Sequence, residues 1–561
     1  MNSYWISSTN KINKNQFNRI DQNYSTDVCV IGAGLTGLST AYYLSKKGLK
    51  VIVLDKSEIG TKTSGHTTAK ITLNHGLIYN YLINTFDIEF ASKYYLSNKQ
   101  AILNIKNIID TENITCDFEY QDNYIYTTDE NNVFKINNEI ESINLIENYL
   151  AKNIDFNLKN SSINPQFVNK CELPFKISGA IETCNQAQFH PVKYMYGLAN
   201  SINTNGGLIF TNSLITDVTR KNDEYEILAN DYTVTAKYVV LASHFPFINF
   251  PGFYFSKMYQ VTSYAIGIEI DDNTLNGMYI NDCEPTLSFR TTKLDNNKRL
   301  LIIGGGNHKC GFSPESRDIF GYKYLENEIQ KYYPNSKIMY KWNTRDCITL
   351  DKVPYIGEFS GFMPNCFVAT GFNKWGMTMS NVSANIISDS ILGKENVFLD
   401  VYNSKRFHPI KNKEEVKNEV KQVFKSFVQN RIQISKEYLS CIKNDNGGII
   451  KIDGNAVGIY KNKSGNIYAI NPTCTHLGCL LTWNNVDKTW DCPCHGSRFD
   501  YTGKNLYDPA FKDLERYEVW SGRYEVGSWR LKVGGQRSDF LLHISYIRPP
   551  TSFVFTTQSS I

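Results

Sequence analysis

The sequence predicts a chain of mixed α/β architecture that ends in a small all-β domain. Three observations support this prediction. Residues Thr26 to Asp55 have the pattern of strand, glycine turn, helix and strand, which is a βαβ unit. The middle of the chain mixes helical patterns with short strands such as Tyr225–Leu228, which predicts a mixed sheet. From about residue 432 onward, short strands alternate with glycine turns such as Ser464-Gly465.

The composition is that of an ordinary globular protein. The 561 residues are 42% hydrophobic and 20% charged, and 59 Lys+Arg against 55 Asp+Glu leave a net charge of +4. These values exclude a disordered chain and give no reason to expect a nucleic-acid partner. The most apolar stretch, Tyr238 to Phe255, is interrupted by polar residues and prolines, and we expect no membrane span. Without an apolar N-terminal segment, the default expectation is a cytoplasmic location.

The first motif is a glycine-rich turn. Gly32, Gly34 and Gly37 have G-x-G-x-x-G spacing between the apolar run Val28–Ile31 and a helical pattern. Such glycines let the backbone approach a pyrophosphate at the helix N-terminus, where free N–H groups favour an anion. Asp55 ends the second strand, where it can accept hydrogen bonds from ribose hydroxyls. The motif predicts a dinucleotide site, and the alternative is a turn in a parallel sheet that binds nothing.

The middle and the end of the chain contain features with less functional meaning. Gly304-Gly305-Gly306 follows an apolar run, Leu300–Ile303, and we expect a tight turn there because no helical pattern continues. Without a second cradle, no NAD(P)H site is predicted. Residues 411–430 are charged with apolar residues at helical spacing, which predicts a connecting helix. Asparagine is absent from residues 506 to 561, so the tail differs in composition from the rest.

The first two-thirds of the chain resembles the D-amino-acid-oxidase-like family of FAD-dependent oxidoreductases over about residues 26–408. The resemblance rests on the glycine turn and on four further stretches: SGHTTAKIT at 64–72, YVVLAS at 238–243, DKVPYIG from 351, and ATGFNKWGMTMS ending at 380. It implies bound FAD, with the loop at Thr67–Lys70 beneath the flavin and the turn at Gly371–Thr378 near its pyrimidine oxygens. The FAD-binding residues implied by these two segments are Thr68, Ala69, Gly371, Gly376 and Met377.

The second motif is a cluster of cysteines and histidines. Cys474 and His476 form a C-x-H pair within CTHLGC (474–479). After fifteen intervening residues, Cys492 and His495 form a C-x-x-H pair within CPCHGS (492–497). Mixed Cys/His sets with short spacers often bind zinc, so a zinc site is the alternative. The C-x-H spacing and the flanking glycine, proline and serine residues favour an iron–sulfur site instead.

Residues of about 432–520 resemble a Rieske domain. The resemblance implies a [2Fe–2S] cluster with Cys474 and Cys492 on one iron and His476 and His495 on the other. It also implies a disulfide between Cys479 and Cys494, which is uncommon in a reducing compartment. Ser497 matches the serine that hydrogen-bonds a cluster sulfur. Phe499 stands where many Rieske proteins have tyrosine, and Asp508-Pro509-Ala510 replaces Gly-Pro-Ala, so we expect a reduction potential in the lower part of the range from roughly −150 to +300 mV.

Together these features predict an FAD-binding Rossmann-like domain interleaved with a mixed-sheet substrate domain, followed by a small all-β Rieske domain. The predicted divisions are an N-terminal extension at 1–25, the FAD-binding and substrate domains at 26–408, a linker helix at 409–431, the Rieske domain at 432–520 and a tail at 521–561.

The predicted function is that of an FAD-dependent oxidoreductase. We expect it to oxidise an amine or amino-acid-like small molecule by hydride transfer to FAD and to pass electrons singly through the cluster to an external acceptor. Alternatives are a reductase with electrons entering from a ferredoxin-like donor, and a redox sensor or binding protein without turnover. No catalytic base is assigned. Candidates for the substrate pocket are Arg290 and Arg345, as carboxylate partners, with Tyr264, Lys374 and Trp375.

Overall fold

The computed structural model describes residues 3–10, 12, 17–153, 163–271, 275–294, 297–311, 320–406, 442–452, 454–522, 528–533, 541–546 and 553–558. The chain divides into two units, one of Met1–His308 with Asp318–Lys411 and the other of Lys309–Arg317 with Asn412–Ile561. The linker helix predicted at 409–431 lies outside the described residues. The described α-helices, all in the first unit, are α1 (Tyr4–Ser7), α2 (Leu35–Lys46), α3 (Tyr79–Thr85), α4 (Ile88–Thr111), α5 (Val133–Asn153), α6 (Pro191–Thr204), α7 (Gly321–Tyr332), α8 (Gly376–Ile391) and α9 (Leu399–Tyr402).

The first unit contains an eight-stranded sheet built around the predicted βαβ unit. Its strands are β1 (Tyr24–Ile31), β2 (Val51–Leu54), β7 (Leu208–Phe210), β8 (Ile215–Lys221), β9 (Glu224–Ala229), β10 (Tyr232–Leu241), β16 (Tyr355–Ser360) and β17 (Met363–Thr370). The order is β16-β17-β10-β1-β2-β7. Strand β9 also pairs with β10, and β8 pairs with β9. Neighbours from β17 to β7 are parallel. Strand β2 is an apolar run, and β1 and β10 each end in one (Val28–Ile31 and 239–241), as buried parallel strands require.

A nine-stranded mixed sheet forms the second layer of this unit. Its strands are β3 (Lys70–Ile71), β4 (Glu119–Thr127), β5 (Gln166–Val168), β6 (Gly179–Gln188), β11 (Met258–Asp271), β12 (Met278–Asn281), β13 (Leu287–Lys293), β14 (Lys298–Lys309) and β15 (Ile338–Thr349). The order is β15-β11-β14-β13-β12-β4-β6-β3, and β5 pairs with β6. Strands of the two sheets alternate along the chain, so the predicted interleaving of an FAD-type fold with a mixed sheet is confirmed.

The tight turn predicted at Gly304–Gly306 is wrong, because these glycines lie inside β14. Their role is close packing. A Cβ atom on Gly305 would lie 2.0 Å from the carbonyl oxygen of Thr286 on the neighbouring segment, and one on Gly304 would lie 3.0 Å from Cγ2 of Thr68. The missing side chains therefore let other parts of the chain approach the strand, and the triple glycine provides no second nucleotide cradle.

The N-terminal residues predicted as an extension pack into the core of the first unit. Trp5 is fully buried (0% exposed), and Tyr4 and Ile6 belong to the same hydrophobic cluster as α2 and α8. Apolar side chains are stabilised by about 25 cal/mol per Å² removed from water, so a buried tryptophan anchors this segment firmly. Residues 3–9 are thus an integral part of the folded unit.

The second unit is built from short antiparallel strands, as predicted. Its strands are β18 (Asn446–Ile452), β19 (Asn455–Lys461), β20 (Ile467–Ile470), β21 (Thr482–Asn484), β22 (Thr489–Asp491), β23 (Arg498–Asp500), β24 (Asn505–Tyr507), β25 (Arg516–Gly522), β26 (Ser528–Val533), β27 (Leu541–Tyr546) and β28 (Phe553–Gln558). Strands β21 to β24 form one sheet, and the other is ordered β18-β19-β20-β25-β26-β27-β28, so the described strands of the tail extend it. None of the described helices combines the length and apolarity needed to cross a membrane.

Candidate functional site

The candidate cofactor site of the first unit lies where the parallel strands end. Strands β1 and β10 are neighbours, and the chain order reverses between them, because β2 lies on the other side of β1. Ligands of open α/β sheets bind at such a reversal, outside the carboxyl ends of the strands. The glycine turn follows β1, Asp55 follows β2, and Gly371 follows β17. The topology therefore brings three predicted binding segments to one edge.

The glycine turn is shaped by close backbone approach. Gly32 has φ +115°, and a Cβ atom there would lie 2.5 Å from the carbonyl oxygen of Ala242, which follows β10. A Cβ atom on Gly37 would lie 1.8 Å from the carbonyl oxygen of Gly32. Gly34 is the N-cap of α2 and supplies no side-chain cap. The first turn of α2 therefore begins at a narrow cradle of glycines, where the Oγ atom of Ser64 accepts from the N–H of Leu35 over 3.2 Å, and a helix N-terminus of this kind suits an anion such as a pyrophosphate.

Asp55 is linked to the same turn. Its Oδ2 atom accepts a hydrogen bond of 2.6 Å from the backbone N–H of Ala33, and its Oδ1 atom accepts one of 2.7 Å from that of Ser57. Two backbone donors fix the direction of the carboxylate at the end of β2. Each carboxylate oxygen can accept a further bond, so the geometry is compatible with the predicted ribose contact.

The segment after β17 turns sharply into α8. Gly371, Asn373 and Lys374 all have positive φ values, of +73°, +51° and +76°. Asn373 is held by its Oδ1 atom, which accepts a hydrogen bond of 2.8 Å from the N–H of Thr349. Helix α8 then begins at Gly376 without a side-chain cap on its N-terminus. A second set of open N–H groups thus lies in the predicted flavin segment, and Met377 in the first turn is buried.

The predicted loop beneath the flavin has an unusual backbone. Thr68 is half-buried, and Ala69 is buried with φ +56°, a left-handed conformation that is uncommon for a residue with a Cβ atom. The N–H of Ala69 donates to Oγ1 of Thr67 over 2.9 Å. Taken with the cradle at Gly32 and the open ends of α2 and α8, this loop completes a set of residues whose shape and donors fit FAD.

The five predicted pocket residues have different surroundings in the structure. The Arg290 prediction is wrong, because its guanidinium donates to the backbone carbonyls of Thr68, Ala69, Phe189 and Thr291 and is 1% exposed. Tyr264 is also in the core, where its hydroxyl is 2.8 Å from Nε2 of His308. The others are Arg345, buried on β15, with Lys374 and Trp375 in the turn before α8.

Two groups near this edge were missed by the sequence reasoning. Asp346 accepts a hydrogen bond of 3.0 Å from Ser263, and burial raises its pKa although the charges of Lys374 and His244 act in the opposite direction. His75 stacks on Trp375, with ring centroids 4.9 Å apart. These residues come from strands and loops far apart in sequence, so no local spacing signals them.

His75 is a neutral imidazole held in one orientation. Burial lowers its pKa to about 3. Its Nε2 atom lies 3.0 Å from the carbonyl oxygen of Thr72, to which only an N–H can donate, so Nδ1 accepts from the hydroxyl of Tyr94 at 2.7 Å. The ring therefore supports Trp375 at the start of α8 without carrying charge.

The second unit presents its cysteines and histidines on two matching loops. The first loop lies between β20 and β21, where the N–H of Cys474 donates to the carbonyl of Cys479 over 2.8 Å. The second lies between β22 and β23, where the N–H of Cys492 donates to the carbonyl of Ser497 over 2.8 Å. The same closing bond at both loops brings the four predicted ligands together, and the rings of His476 and His495 are 5.0 Å apart between centroids.

A disulfide joins the two loops, as the resemblance implied. The Sγ atoms of Cys479 and Cys494 are 2.13 Å apart. Sulfur atoms of Cys479, Cys492 and Cys494 lie within 4.8 Å of one another, but the two bridged atoms are not thiolates and cannot serve as ordinary metal ligands. The free thiols of these loops are those of Cys474 and Cys492, both buried.

The two thiols and the two histidine rings influence one another's protonation. A hydrogen bond with Cys492 lowers the pKa of Cys474 to about 7 and raises that of Cys492 well above its ordinary value. Burial, with the neighbouring His495, lowers the pKa of His476 to about 3. Metal ligands must be thiolates and neutral imidazoles. The pKa values of Cys474 and His476 meet this requirement, whereas Cys492 must lose the proton that the two thiols share when metal binds, and two cysteines with two histidines are the donor set of a Rieske [2Fe–2S] cluster.

Comparisons with known proteins agree with both sites. Residues 27–390 match the FAD dependent oxidoreductase family (DAO), and residues 437–518 match the Rieske [2Fe-2S] domain. The chain is 33% identical over 518 residues to the putative Rieske 2Fe-2S iron-sulfur protein YhfW of Bacillus subtilis (strain 168), an alignment that covers 92% of this chain and 97% of that protein.

More distant similarities concern the first unit. The gamma-glutamylputrescine oxidoreductase of Escherichia coli (strain K12) is 22% identical over 401 residues, covering 70% of this chain and 89% of that protein. The crystal structure of glycine oxidase from Geobacillus kaustophilus superposes with a TM-score of 0.56 at 16% identity, covering 69% of this chain and all (100%) of that chain. The second similarity shows a shared fold.

A dinucleotide-type fold and a Cys/His iron–sulfur module in one chain define an oxidoreductase with two redox cofactors. The chain belongs to the FAD-dependent oxidoreductase family of the DAO type and carries a Rieske domain. Its cofactors are FAD and a [2Fe–2S] cluster.

Proposed function

We propose that the chain oxidises a C–N bond of a small amine or amino acid and delivers the electrons through the Rieske cluster to an external one-electron acceptor. The observation that carries this proposal is the presence of both sites in one chain. Bound FAD supplies a two-electron hydride acceptor, and the cluster supplies a one-electron carrier. The substrate loses two electrons and two protons to become an imine, and two acceptor molecules each take one electron.

The substrate class is supported by two relatives that act on C–N compounds by name, gamma-glutamylputrescine oxidoreductase and glycine oxidase. The structure adds an acid near the start of α8. Asp346 and Lys374 interact electrostatically next to Trp375, and burial raises the pKa of the Asp346 carboxyl group above its ordinary value. We propose that this pair orients the ammonium or carboxylate group of the substrate.

For FAD, we propose that the cradle of Gly32, Gly34 and Gly37 receives the pyrophosphate and that Asp55 accepts from the ribose hydroxyls. Thr68 and Ala69 would lie beneath the flavin, and the open N-terminus of α8 at Gly371, Gly376 and Met377 would face the pyrimidine oxygens. These assignments are supported by the shared strand edge and by the uncapped helix ends.

For the cluster, we propose Cys474 and Cys492 as ligands of one iron and His476 and His495 as ligands of the other. Cys492→Ser should reduce the iron content from about two per chain to near zero, because a serine oxygen is a poor substitute for a thiolate. Iron analysis and the visible spectrum measure this loss, while the FAD content should not change. Cys171→Ser, a half-buried free thiol of the first unit, is the control. Retained iron in Cys492→Ser would contradict the assignment.

Anaerobic screening of amines and amino acids tests the function. A substrate should bleach the flavin absorption, and rapid mixing should then show reduction of the cluster within one turnover. A cluster that stays oxidised while the flavin is reduced would disprove the relay. Reduction of the flavin by a reduced ferredoxin-like donor, with a cluster potential below that of the flavin, would establish the reverse direction. If no amine bleaches the flavin and a partner binds only one redox state, the chain is a sensor.

A further inference from the structure

Five consecutive carbonyl groups in the predicted flavin loop are each held by a side chain from elsewhere in the chain. They belong to residues 65–69. The donors are Ser3 Oγ to Gly65, Trp342 Nε1 to His66 (3.0 Å), Trp5 Nε1 to Thr67 (2.8 Å), and Arg290 Nη1 to Thr68 (3.1 Å) and to Ala69 (2.8 Å). The last two residues of a short 3₁₀ turn (Thr63–His66) and the three residues that follow it are thereby each held at their carbonyl groups.

Two of the donors come from the N-terminal segment. Ser3 and Trp5 are both 0% exposed, whereas the hydroxyl of Ser8 in the same segment bonds elsewhere, with its Oγ atom 2.9 Å from Nε2 of His190. The Cδ1 atom of Ile6 lies 3.3 Å from the position that a Cβ atom on Gly65 would take. The segment is therefore packed directly against the loop, and its polar atoms point at loop carbonyls.

The other two donors come from the mixed sheet. Arg290 on β13 and Trp342 on β15 are each 1% exposed. The guanidinium carbon of Arg290 lies 5.1 Å from the centroid of the Trp5 ring, a cation–π contact that joins the two sets of donors. Buried donors bound to backbone carbonyls are costly to release, because a group left without a partner loses its full solvation.

This arrangement stabilises a loop conformation that the chain would otherwise disfavour. Ala69 adopts φ +56°, and a left-handed conformation persists in a non-glycine residue only where its surroundings enforce it. The carbonyls at 65–69 are all committed to protein donors. The loop is therefore pre-formed, so FAD does not have to order it on binding.

We propose that Ser3, Trp5, Arg290 and Trp342 are positioning residues of the cofactor site that hold the 65–69 loop in its FAD-binding conformation. The proposal rests on the proposed role of this loop in binding FAD. It assigns a function to the N-terminal residues and gives the buried Arg290 a role in holding the loop.

The test compares matched variants of the full-length chain. Ser3→Ala and Trp5→Phe each remove one loop donor, whereas Ser8→Ala and Tyr4→Phe remove hydroxyls of the same segment that bond to His190 and to the carbonyl of Lys293. In FAD-free protein, Ser3→Ala and Trp5→Phe should accelerate hydrogen exchange of the 62–71 peptide about tenfold, and their Kd for FAD should rise about tenfold. The controls should change either quantity less than about twofold. Ser3→Thr, which keeps the hydroxyl, should restore both.

Hydrogen exchange of peptides from α4 and β11 in each sample reports whether the rest of the first unit is folded. Unchanged hydrogen exchange of the 62–71 peptide in both Ser3→Ala and Trp5→Phe would disprove the proposal that these side chains hold the loop. Faster exchange with an unchanged Kd for FAD would show that the loop does not position the cofactor and would also overturn the proposal. Equal effects in the two control variants would show that the segment only stabilises the unit in general, and would overturn the proposal. A failure to find a substrate leaves these binding and exchange measurements intact, so the two proposals are tested separately.

Discussion

At the scale of single residues, the potential of the cluster depends on what surrounds its sulfur ligands. Hydrogen bonds from Ser497 and from the N–H groups of His476 and Leu477 lower the pKa of Cys474. The Oγ atom of Ser497 accepts in turn from the N–H of Ala510 over 2.9 Å, which fixes its direction. Phe499 is fully buried in the same apolar cluster as the four cysteines and contributes no hydrogen bond through its ring.

Phe499→Tyr should therefore raise the reduction potential. A phenolic hydroxyl added within this cluster can donate to a sulfur and stabilise the reduced, more negative state. One hydrogen bond of about 1 kcal/mol corresponds to an upward shift on the order of 40 mV for one electron. A redox titration of the cluster measures the shift, and Phe511→Tyr, outside the cysteine cluster, should leave the potential unchanged. A fall in potential in Phe499→Tyr would contradict this account.

At the scale of secondary-structure elements, the turn between β1 and α2 depends on the absence of side chains. Gly32→Ala should weaken FAD binding at least about tenfold, because the new Cβ atom would collide with the carbonyl of Ala242, 2.5 Å away, and push the turn from the end of β10. Gly48 is a matched control, since it also has positive φ (+84°) but no atom within 4 Å of its Cβ position.

Both substitutions carry the cost of about 1–2 kcal/mol that a left-handed backbone imposes on a residue with a Cβ atom. The difference between them isolates the contact with β10. Fluorescence titration with FAD measures the two dissociation constants, and equal values for Gly32→Ala and Gly48→Ala would show that this contact is unimportant for the cofactor.

A buried carboxyl group links α5 to α3. Glu139 is 1% exposed and accepts hydrogen bonds from the N–H groups of Tyr79 (2.8 Å) and Asn80 (2.9 Å) at the start of α3, and burial raises its pKa to about 7. Since the folded pKa lies above the unfolded value, the folded chain binds more protons between about pH 4.5 and 7. The stabilisation that Glu139 contributes to the free energy of unfolding is therefore largest below this pH interval and decreases as the pH rises through it.

Glu139→Gln should destabilise the first unit by about 1–3 kcal/mol, because the amide can accept only one of the two backbone bonds. The cost should be largest near pH 5 and should shrink toward pH 8, where the wild-type carboxylate is ionised in a buried position. Denaturant unfolding at several pH values measures this, with Glu141→Gln, exposed on the same helix, as the control. A cost that grows with pH would refute the assigned direction.

At the scale of the whole molecule, each unit has its own core and its own cofactor, so each can be followed separately. The disulfide between Cys479 and Cys494 closes a loop with a sequence separation of 15 residues in the second unit. A cross-link that closes a loop of this length stabilises the folded state by about 3 kcal/mol, mainly because it restricts the unfolded chain. The Cys479→Ala/Cys494→Ala variant should lose its cluster at a clearly lower temperature.

The temperature at which FAD is released should fall far less in this variant, because the disulfide lies in the second unit. Visible circular dichroism of the cluster and fluorescence of released FAD measure the two temperatures in one heating experiment. Equal shifts of both signals would indicate that the units lose structure together, and no shift in cluster loss would show that the bridge does not stabilise the loops.

The sequence by itself determined the two-part architecture and the principal chemical groups. The G-x-G-x-x-G turn and Asp55 lie within one βαβ unit, and the Cys/His pairs lie within two short loops. Such motifs are recognisable because local spacing alone imposes their geometry. The glycine turn begins at the end of β1 as predicted, and family comparisons confirm both cofactor types.

Only the tertiary structure decided what residues distant in sequence do together. Arg290 was expected to bind substrate but donates to carbonyls of the predicted flavin loop. Gly304–Gly306 continue a strand, and residues 3–8 pack inside the first unit. Asp346 and His75 gain their surroundings from loops and strands far along the chain. A buried arginine and a substrate-binding arginine look alike in a sequence, because the partner that distinguishes them is chosen by long-range packing rather than by local spacing.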